Sequence, residues 1–319
     1  MDIMISICCI TYNHEKYISD AIEGFLMQKT SFPFEVIIHD DASTDRTAEI
    51  IRNYEKTYPE IIKPIYQSEN QHSKGGHIDT RFIYPRAKGK YIALCEGDDY
   101  WTDPFKLQKQ AEHMEKNPQC SLCTHAARRI ARNNKVAGYI QPADSDRLFT
   151  TEEVISGGGG LFATNSMFYP KKLVETLPNF YLQAAVGDYP LTIYLSLQGE
   201  VHYIAQCMSD YRAMVENSWS STILADERKM NEYIRKTGIM LDEINQYTNY
   251  KYEAAIHQYL LNREFNRLLA DYDIRKIKTE KYRTKYDALS IKHKLMLYLG
   301  AYLPSVLNLS LKIRKIYKA

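Results

Sequence analysis

The sequence lacks the cysteine pattern of a disulfide-stapled protein. Its six cysteines, Cys8, Cys9, Cys95, Cys120, Cys123 and Cys207, fall at no paired spacing, which speaks for a reducing compartment. Cys120 and Cys123 form one CxxC, but a zinc site needs a second pair of ligands, and none stands at a suitable distance. No secretory signal opens the chain: Met1-Asp2 runs directly into an apolar, strand-like stretch, so a cytoplasmic protein is expected. There is no internal repeat and no long low-complexity linker, which sets aside repeat architectures and disordered scaffolds. The apolar run from Leu295 to Pro304 is too short for a bilayer span, which takes about 20 residues. Tryptophan is scarce at two residues, whereas tyrosine reaches 26. A tyrosine offers an apolar ring with a polar tip, suited to clefts and interfaces. A hydrophobic share of 45% and a charged share of 25% fit a soluble globular protein with one large core or two modest ones.

Charge is unevenly spread. Residues 272–319 carry twelve Lys and Arg against three Asp and Glu, a net +9, which leaves −7 on the 271 residues before them. A basic tail on an acidic body points to docking on something anionic. No recognised nucleic-acid-binding motif accompanies the tail, so nucleic acid is not expected as a partner.

The first hundred residues alternate strand and helix. Ile3 to Ile10 is an apolar, β-branched run of the kind buried on both faces. Thr11-Tyr12-Asn13-His14 breaks it, and Ile18, Ile22, Phe25 and Leu26 then fall at helical spacing. Glu35 to His39 predicts a second strand, Asp40 to Asp45 a loop, and Ser43 and Thr44 are N-cap types for a helix through Ile50, Ile51 and Tyr54. Ile61–Tyr66 and Tyr91–Cys95 complete four strands. Such alternation builds a parallel sheet with right-handed crossovers, and ligands bind outside the carboxyl ends of its strands. The polar clusters 11–14, 40–45 and 96–99 all fall there. Beyond them, Leu107, Gln110, Ala111 and Met114 predict a helix, Cys120–Ile130 and Val136–Ile140 a hairpin turned at 133–135, and Gly157 to Gly160 a flexible or close-approach loop. From Asp226 onward the pattern is almost wholly helical.

Glu96-Gly97-Asp98-Asp99 sets three carboxylates within four residues straight after an apolar strand. Their mutual repulsion is relieved by a cation, and Mg2+ or Mn2+ bridging a diphosphate suits hard oxygen ligands with few protein contacts. A solvated acidic turn is the plainer alternative. Asp40-Asp41 reads either as an Asx turn or as an acceptor for a nucleobase N–H. Thr11-Tyr12-Asn13 offers a ring for stacking and polar groups for base or ribose.

Taken together, Ser6–Asn13, Asp40–Asp45 and Ala87–Trp101 (AKGKYIALCEGDDYW) resemble the family 2 glycosyltransferases of the GT-A fold, above all the bacterial branch that builds cell-surface polysaccharides. The resemblance covers residue 3 to about 220. It implies an α/β, Rossmann-like GT-A domain with a mostly parallel sheet over 1–225, split into a nucleotide-binding half (1–102) and an acceptor-binding half (103–225). A C-terminal helical region, 226–319, follows, with a basic amphipathic tail from about 272. It implies a sugar transfer from a nucleotide-diphosphate donor, with uridine the expected base, to a glycan or lipid-linked acceptor. Tyr12 and Asp41 would hold the base, with Thr11 and Asp40 shaping that pocket. Glu96 and Asp98 would be the outer positions of the DxD motif, Asp98 the ligand of Mn2+ or Mg2+, and Asp99 a nearby supporting or sugar-contacting residue. Arg212 would pair with the diphosphate. Asp188, in Gly187-Asp188-Tyr189-Pro190, matches the general base of an inverting reaction, with Gly187 where the family usually has Glu; read without the resemblance, Asp188 is a helix N-cap. Met214 stands about where relatives carry a His. Trp101 and Trp219 would stack on acceptor sugars, core or lid packing being the alternative.

The tail continues past Pro304 with Val306, Leu307, Leu309, Leu311, Ile313 and Ile316 interleaved with Lys312, Arg314 and Lys315. This is the pattern of interfacial helices on an anionic membrane, here the inner face of the cell membrane. Packing on the core or on a second copy of the chain is the alternative. Two other functions are weighed. A sugar nucleotidyltransferase would bring a glycine-rich phosphate loop after the first strand, where Ile10-Thr11-Tyr12-Asn13 stands. A catalytically inert nucleotide-sugar-binding scaffold would account for the departures at Glu96, Gly187 and Met214.

Overall fold

The computed structural model describes residues 2–213, 222–223 and 226–305. It divides into two compact units, residues 1–252 and 253–319. The described residues of the first unit form a ten-stranded mixed sheet. Its parallel half is β1 (Ile5–Thr11), β2 (Phe34–Asp40), β3 (Ile62–Tyr66) and β4 (Tyr91–Leu94), in the order β3-β2-β1-β4. Helices α1 (Ile18–Leu26) and α2 (Thr47–Thr57) make the first crossovers. The path continues through β9 (Phe168–Pro170), β6 (Cys120–Ile130), β10 (Glu200–Arg212) and β5 (Tyr100–Trp101), with β7 (Val136–Ile140) on β6 and β8 (Arg147–Phe149) on β10.

Why β1 is central follows from its residues. Ile5, Ile7 and Cys9 are buried in one core cluster with Ile18, Ala21, Ile22 and Phe25 of α1. On the other face a polar seam replaces oil: Ser6 Oγ donates to Glu35 Oε1 at 2.7 Å, and the backbone of Gly89 donates to Ser6 Oγ at 2.9 Å. Gly89 permits that approach, because a Cβ there would lie 2.3 Å from the nitrogen of Ser6. The parallel register pairs Thr11 with Asp40, so both loops that follow leave the same edge of the sheet.

The hairpin of β6 and β7 is present, turned through Asn134 at φ 59°. The Gly157–Gly160 stretch is ordered rather than loose: Gly157 ends α4 (Thr151–Gly157), and Gly158–Gly160 form a 3-10 turn. Two helix starts differ from the sequence reading. α2 begins at Thr47, held by Asp45 Oδ1, which accepts the Thr47 N–H at 2.9 Å; Ser43 and Thr44 are drawn instead to Asn13. α6 (Asp188–Gln198) has Gly187 as its N-cap, so Asp188 is its first helical residue. Between α2 and α6 also stand α3 (Lys106–Lys116) and the short α5 (Asn179–Leu182). α7 (Glu227–Tyr247) buries Met240, Leu241 and Ile244 and brings Tyr247 against Phe180 of α5.

The second unit is helical, comprising α8 (Glu253–Ala270), α9 (Ile274–Ile277), α10 (Arg283–Ala288) and α11 (Ile291–Tyr302). Its small core holds Phe265, Leu268, Ile274, Ile277, Tyr282 and Leu297. Among the described residues no helix is long and apolar enough to cross a membrane. The basic, apolar stretch from Val306 to Ile316 lies outside the described residues, as do Met214 and Trp219.

Candidate functional site

The three polar segments meet at the carboxyl edge of β1, β2 and β4. The backbone joins them first: Asp41 N–H donates to Thr11 O at 3.0 Å, and Gly97 N–H to Ile10 O at 2.9 Å. Side chains then lace the loops. Asn13 N–H donates to Ser43 Oγ at 2.9 Å, Thr44 N–H to Asn13 Oδ1 at 2.8 Å, and Glu15 N–H to Asp45 Oδ2 at 3.0 Å. This is what the run Asp40–Asp45 does locally. Asn13 and Ala42 both adopt left-handed backbone, at φ 55° and 60°. For Ala42 that costs about 1–2 kcal/mol, strain of a kind that gathers at binding loops.

The side chains here are partly occupied and partly free. Tyr12 is exposed at 42%, its ring open for stacking. Asp41 is buried, and its two oxygens accept from Gln71 N–H at 2.7 Å and His72 N–H at 3.0 Å; it holds the segment that follows β3. Asp40 Oδ2 accepts from Ser43 N–H at 3.4 Å, whereas its Oδ1 is buried with no partner among the described residues. Burial raises the Asp40 carboxyl above its ordinary range. Thr11 Oγ1 and His14 Nδ1 are likewise buried without partners. They converge on Gly97, where a Cβ would lie 2.6 Å from the first and 3.1 Å from the second. The middle position of Glu96-Gly97-Asp98 therefore has room for glycine only.

The acidic cluster is sorted by its surroundings. Asp99 is buried and fixed: Oδ2 accepts from Asn165 Nδ2 at 3.0 Å and Oδ1 from Arg212 N–H at 2.8 Å. Burial, then the charges of Asp98 and Glu96, lift its carboxyl well above the usual range. Glu96 is reachable by solvent yet hemmed in by protein. Loss of surrounding water, then Asp98 and Asp188, push it up to about 8. Asp188 sits across the cluster on α6. Its Oδ1 accepts from Tyr189 N–H at 2.8 Å, and burial raises its carboxyl. Tyr211, on β10, faces the same group: burial, then Glu96, Asp99, Asp98 and Asp188, raise its phenol, leaving it a proton donor among carboxylates.

Two of the residues expected at contacts have partners within the protein. Trp101 is only 1% exposed and packs edge-on against Phe25, with the Lys106 ammonium 3.9 Å from its ring centre and its Nε1 donating to Asn165 O at 2.8 Å. It is a core residue with no face left for a sugar. Arg212 Nη1 donates to Asp98 O at 2.8 Å and Nη2 pairs with Asp20, while its Nε is buried with no partner among the described residues. Its guanidinium lies 4.4 Å over Tyr100 and 5.0 Å over Tyr17. Arg212 clamps the acidic loop. Sequence reasoning missed Asn165, Tyr211 and His14. Asn165 joins Asp99, Asp210 O (3.0 Å) and Ser209 Oγ (2.8 Å) from segments far apart in the chain, so no local pattern marks it. Tyr211, next to Arg212, had only that adjacency as a signal.

Residues 6–172, just over half of the chain, match Glycosyl transferase family 2. The chain belongs to that family. The uncharacterized protein Rv1520 of Mycobacterium tuberculosis is 35% identical over 228 residues, 72% of this chain and 64% of that protein; the chain thus matches a little under two thirds of this relative's length. An Escherichia coli relative, UDP-Glc:alpha-D-GlcNAc-diphosphoundecaprenol beta-1,3-glucosyltransferase WfaP, is 35% identical over 112 residues, 35% of this chain and 41% of that one. Among solved structures, S. aureus TarS 1-349 in complex with UDP-GlcNAc superposes with a TM-score of 0.62 at 15% identity, covering 94% of this chain and 79% of TarS 1-349. The Pyrobaculum calidifontis mannosyltransferase PcManGT, in complex with GDP-Man and Mn2+, gives 0.56 at 13% identity, covering 95% and 81%. Both likenesses establish the GT-A fold for this family 2 member.

The cluster also meets the chemistry of a divalent metal. Among the described residues no group of three His, Cys, Asp or Glu is arranged to enclose an ion. The carboxylates of Glu96 and Asp98 accept no hydrogen bond from the described residues, and the charge of Asp98 is one cause of the raised Glu96 carboxyl. That is the donor set of a hard cation sharing its shell with phosphate and water.

Proposed function

We propose that this family 2 member transfers a hexose from a nucleoside diphosphate sugar, with uridine the expected base, to a hydroxyl of a glycan or lipid-linked acceptor, with inversion. The observation that carries this is that Asp188, at the start of α6, acts on Glu96 from some ninety residues later in the chain, and that both act with Asp98 and Asp99 on Tyr211. An acidic strand end alone explains a metal; a separate raised carboxyl facing it supplies a base. Tyr12, with Asp40 and Thr11 beneath it and Asp41 holding the neighbouring loop, frames the nucleoside.

The reaction is one displacement. Asp188 takes the proton of the acceptor hydroxyl, the acceptor oxygen bonds to the anomeric carbon, and the bond from that carbon to the diphosphate breaks, releasing the nucleoside diphosphate. Asp98, with Glu96 beside it, would hold Mn2+ or Mg2+, whose charge neutralises the departing diphosphate. Arg212 keeps Asp98 and Asp99 in place, and Tyr211 stands as a donor over the same oxygens. Holding the reactants in line contributes as much as the charges do.

The second unit supports a membrane-surface location for a lipid-linked acceptor. Ile291, Leu295, Tyr298 and Tyr302 of α11 are exposed, and they follow at intervals of four, three and four residues, one stripe of a helix. Lys292 and Lys294 flank it.

Calorimetric titration of UDP into the full chain, with and without Mn2+, tests the reading. Metal-dependent binding that Asp98→Ala abolishes is expected. A chain that binds none of UDP, GDP and dTDP under either condition is an inert protein in this respect, and the proposal is overturned.

A further inference from the structure

The segment between β3 and β4 has no part in the reading so far, yet it is built with care. At its near end the Gln71 and His72 amides are held by Asp41, and Arg81 donates to Gln71 Oε1 and to Gly75 O, each at 3.0 Å. At its far end His77 stacks on Tyr181, ring centres 4.4 Å apart. Asp79 then accepts from Tyr181 Oη at 2.6 Å and from Tyr84 Oη at 3.0 Å. Burial, with Asp79 the next cause, raises both phenols, so both remain donors. Tyr181 belongs to α5, seven residues before Asp188. The segment therefore runs from the nucleoside loop to the base, the same path a nucleotide sugar would take, with the sugar at the His77 end.

The ring of His77 is fixed in one tautomer. Its Nε2 lies 2.7 Å from Tyr181 O. A carbonyl can only accept, so Nε2 carries the hydrogen, and in the neutral ring Nδ1 presents a bare lone pair. Nδ1 lies 3.6 Å from where a Cβ on Gly187 would stand. The backbone of Gly187, at φ −89°, does not require glycine. What glycine provides there is the space of a missing side chain, next to Asp188 in the chain, with the His77 acceptor 3.6 Å and the Tyr181 hydroxyl 3.7 Å from the place a Cβ would take.

We propose that His77 is a specificity-determining residue for the donor sugar, its Nδ1 accepting a hydrogen bond from a hexose hydroxyl that enters the space left by Gly187. This rests on the nucleotide-sugar reading above. A site built to accept from a hydroxyl discriminates against a sugar that presents none there, because the acceptor is then left unpaired.

The test is calorimetry on the full chain with UDP, UDP-glucose, UDP-galactose and UDP-N-acetylglucosamine, for wild type, His77→Phe and Gly187→Ala. His77→Phe keeps a ring to stack on Tyr181 and removes the acceptor. Gly187→Ala fills that space with a methyl at ordinary van der Waals distance and leaves the hydrogen-bond network intact. Wild type is expected to favour one UDP-sugar by about tenfold, and both variants to lose most of that preference while their affinity for UDP stays within about twofold. A wild type that binds the three sugars alike, or variants that bind UDP and keep the wild-type ratios, overturns the inference alone. A wild type that binds none of UDP, GDP, dTDP and the UDP-sugars overturns the underlying reading and this one with it; one that binds GDP or dTDP instead is put through the same comparison with the sugars of that nucleotide.

Discussion

Asp188 and Glu96 are both carboxyls raised by their surroundings, but the consequences differ. As the proposed base, Asp188 must be ionised to take a proton, and burial favours its neutral form. The acid limb of kcat/KM against pH should therefore fall at a pH above the ordinary carboxylate range. Asp188→Asn, which cannot accept the proton, is expected to lower transfer about 10²–10⁴-fold with UDP affinity unchanged; wild-type turnover in that variant would remove Asp188 from the mechanism. Glu96 bears on stability. Its folded-state pKa of about 8 lies above the 4.5 of the unfolded chain, so the folded protein holds this proton more tightly. That contribution is complete below pH 4.5 and is lost as pH rises through 8. Thermal melts in EDTA should show Tm falling across this window, less steeply in Glu96→Gln, and Mn2+ should flatten the wild-type slope. Equal slopes for the two proteins would rule out Glu96 as the source.

Asn165 shows how elements far apart in sequence are fastened into one site. Its side chain serves Asp99, Ser209 and the Asp210 carbonyl, and its own carbonyl receives Trp101. Asn165→Ala leaves several buried polar groups without a partner, and about 2–4 kcal/mol of stability should go with them; denaturant unfolding that shows less than about 1 kcal/mol lost would deny it this role. Elements also decide what could be read in advance. β1, β2 and β4 were legible because strands covered on both faces are unbroken apolar runs, and the loops after them announce themselves by polarity. β5 and β9 span two and three residues, too few for a period, and exist because of partners distant in the chain. β10 hid behind polar residues: Ser209 and Asp210 are buried, Asp210 against Arg128 at 2.6 and 2.7 Å, a pairing with no trace in local sequence. The choice between stacking and core packing for Trp101 was open for the same reason, since the carbonyl that receives its Nε1 lies 64 residues later. The cluster of Glu96, Asp98 and Asp99 was visible as a motif; that Tyr211 stands over it was not.

At the scale of the whole chain, a basic helical unit accompanies a first unit, residues 1–252, that holds the proposed site. Among the described residues of the helical unit the core of six buried side chains is small, while Ile291, at 86% exposed, Leu295, at 58%, and Tyr302, at 61%, stay in water. Leaving so much apolar surface uncovered costs about 25 cal/mol per Å² relative to burying it, and a lipid interface would recover it. Positive charge adds about 1 kcal/mol per Lys or Arg near an anionic surface. The full chain should therefore sediment with phosphatidylglycerol-containing vesicles at low salt, weakly at high salt, and not with neutral phosphatidylcholine vesicles. Leu295→Glu combined with Tyr302→Glu should abolish sedimentation while UDP binding and soluble-donor hydrolysis persist, because neither side chain belongs to the first unit. If the wild-type chain stays in the supernatant with anionic vesicles but elutes as a dimer that the same double substitution dissolves, the stripe is a subunit contact, and the acceptor must reach the site without the membrane holding the enzyme beside it.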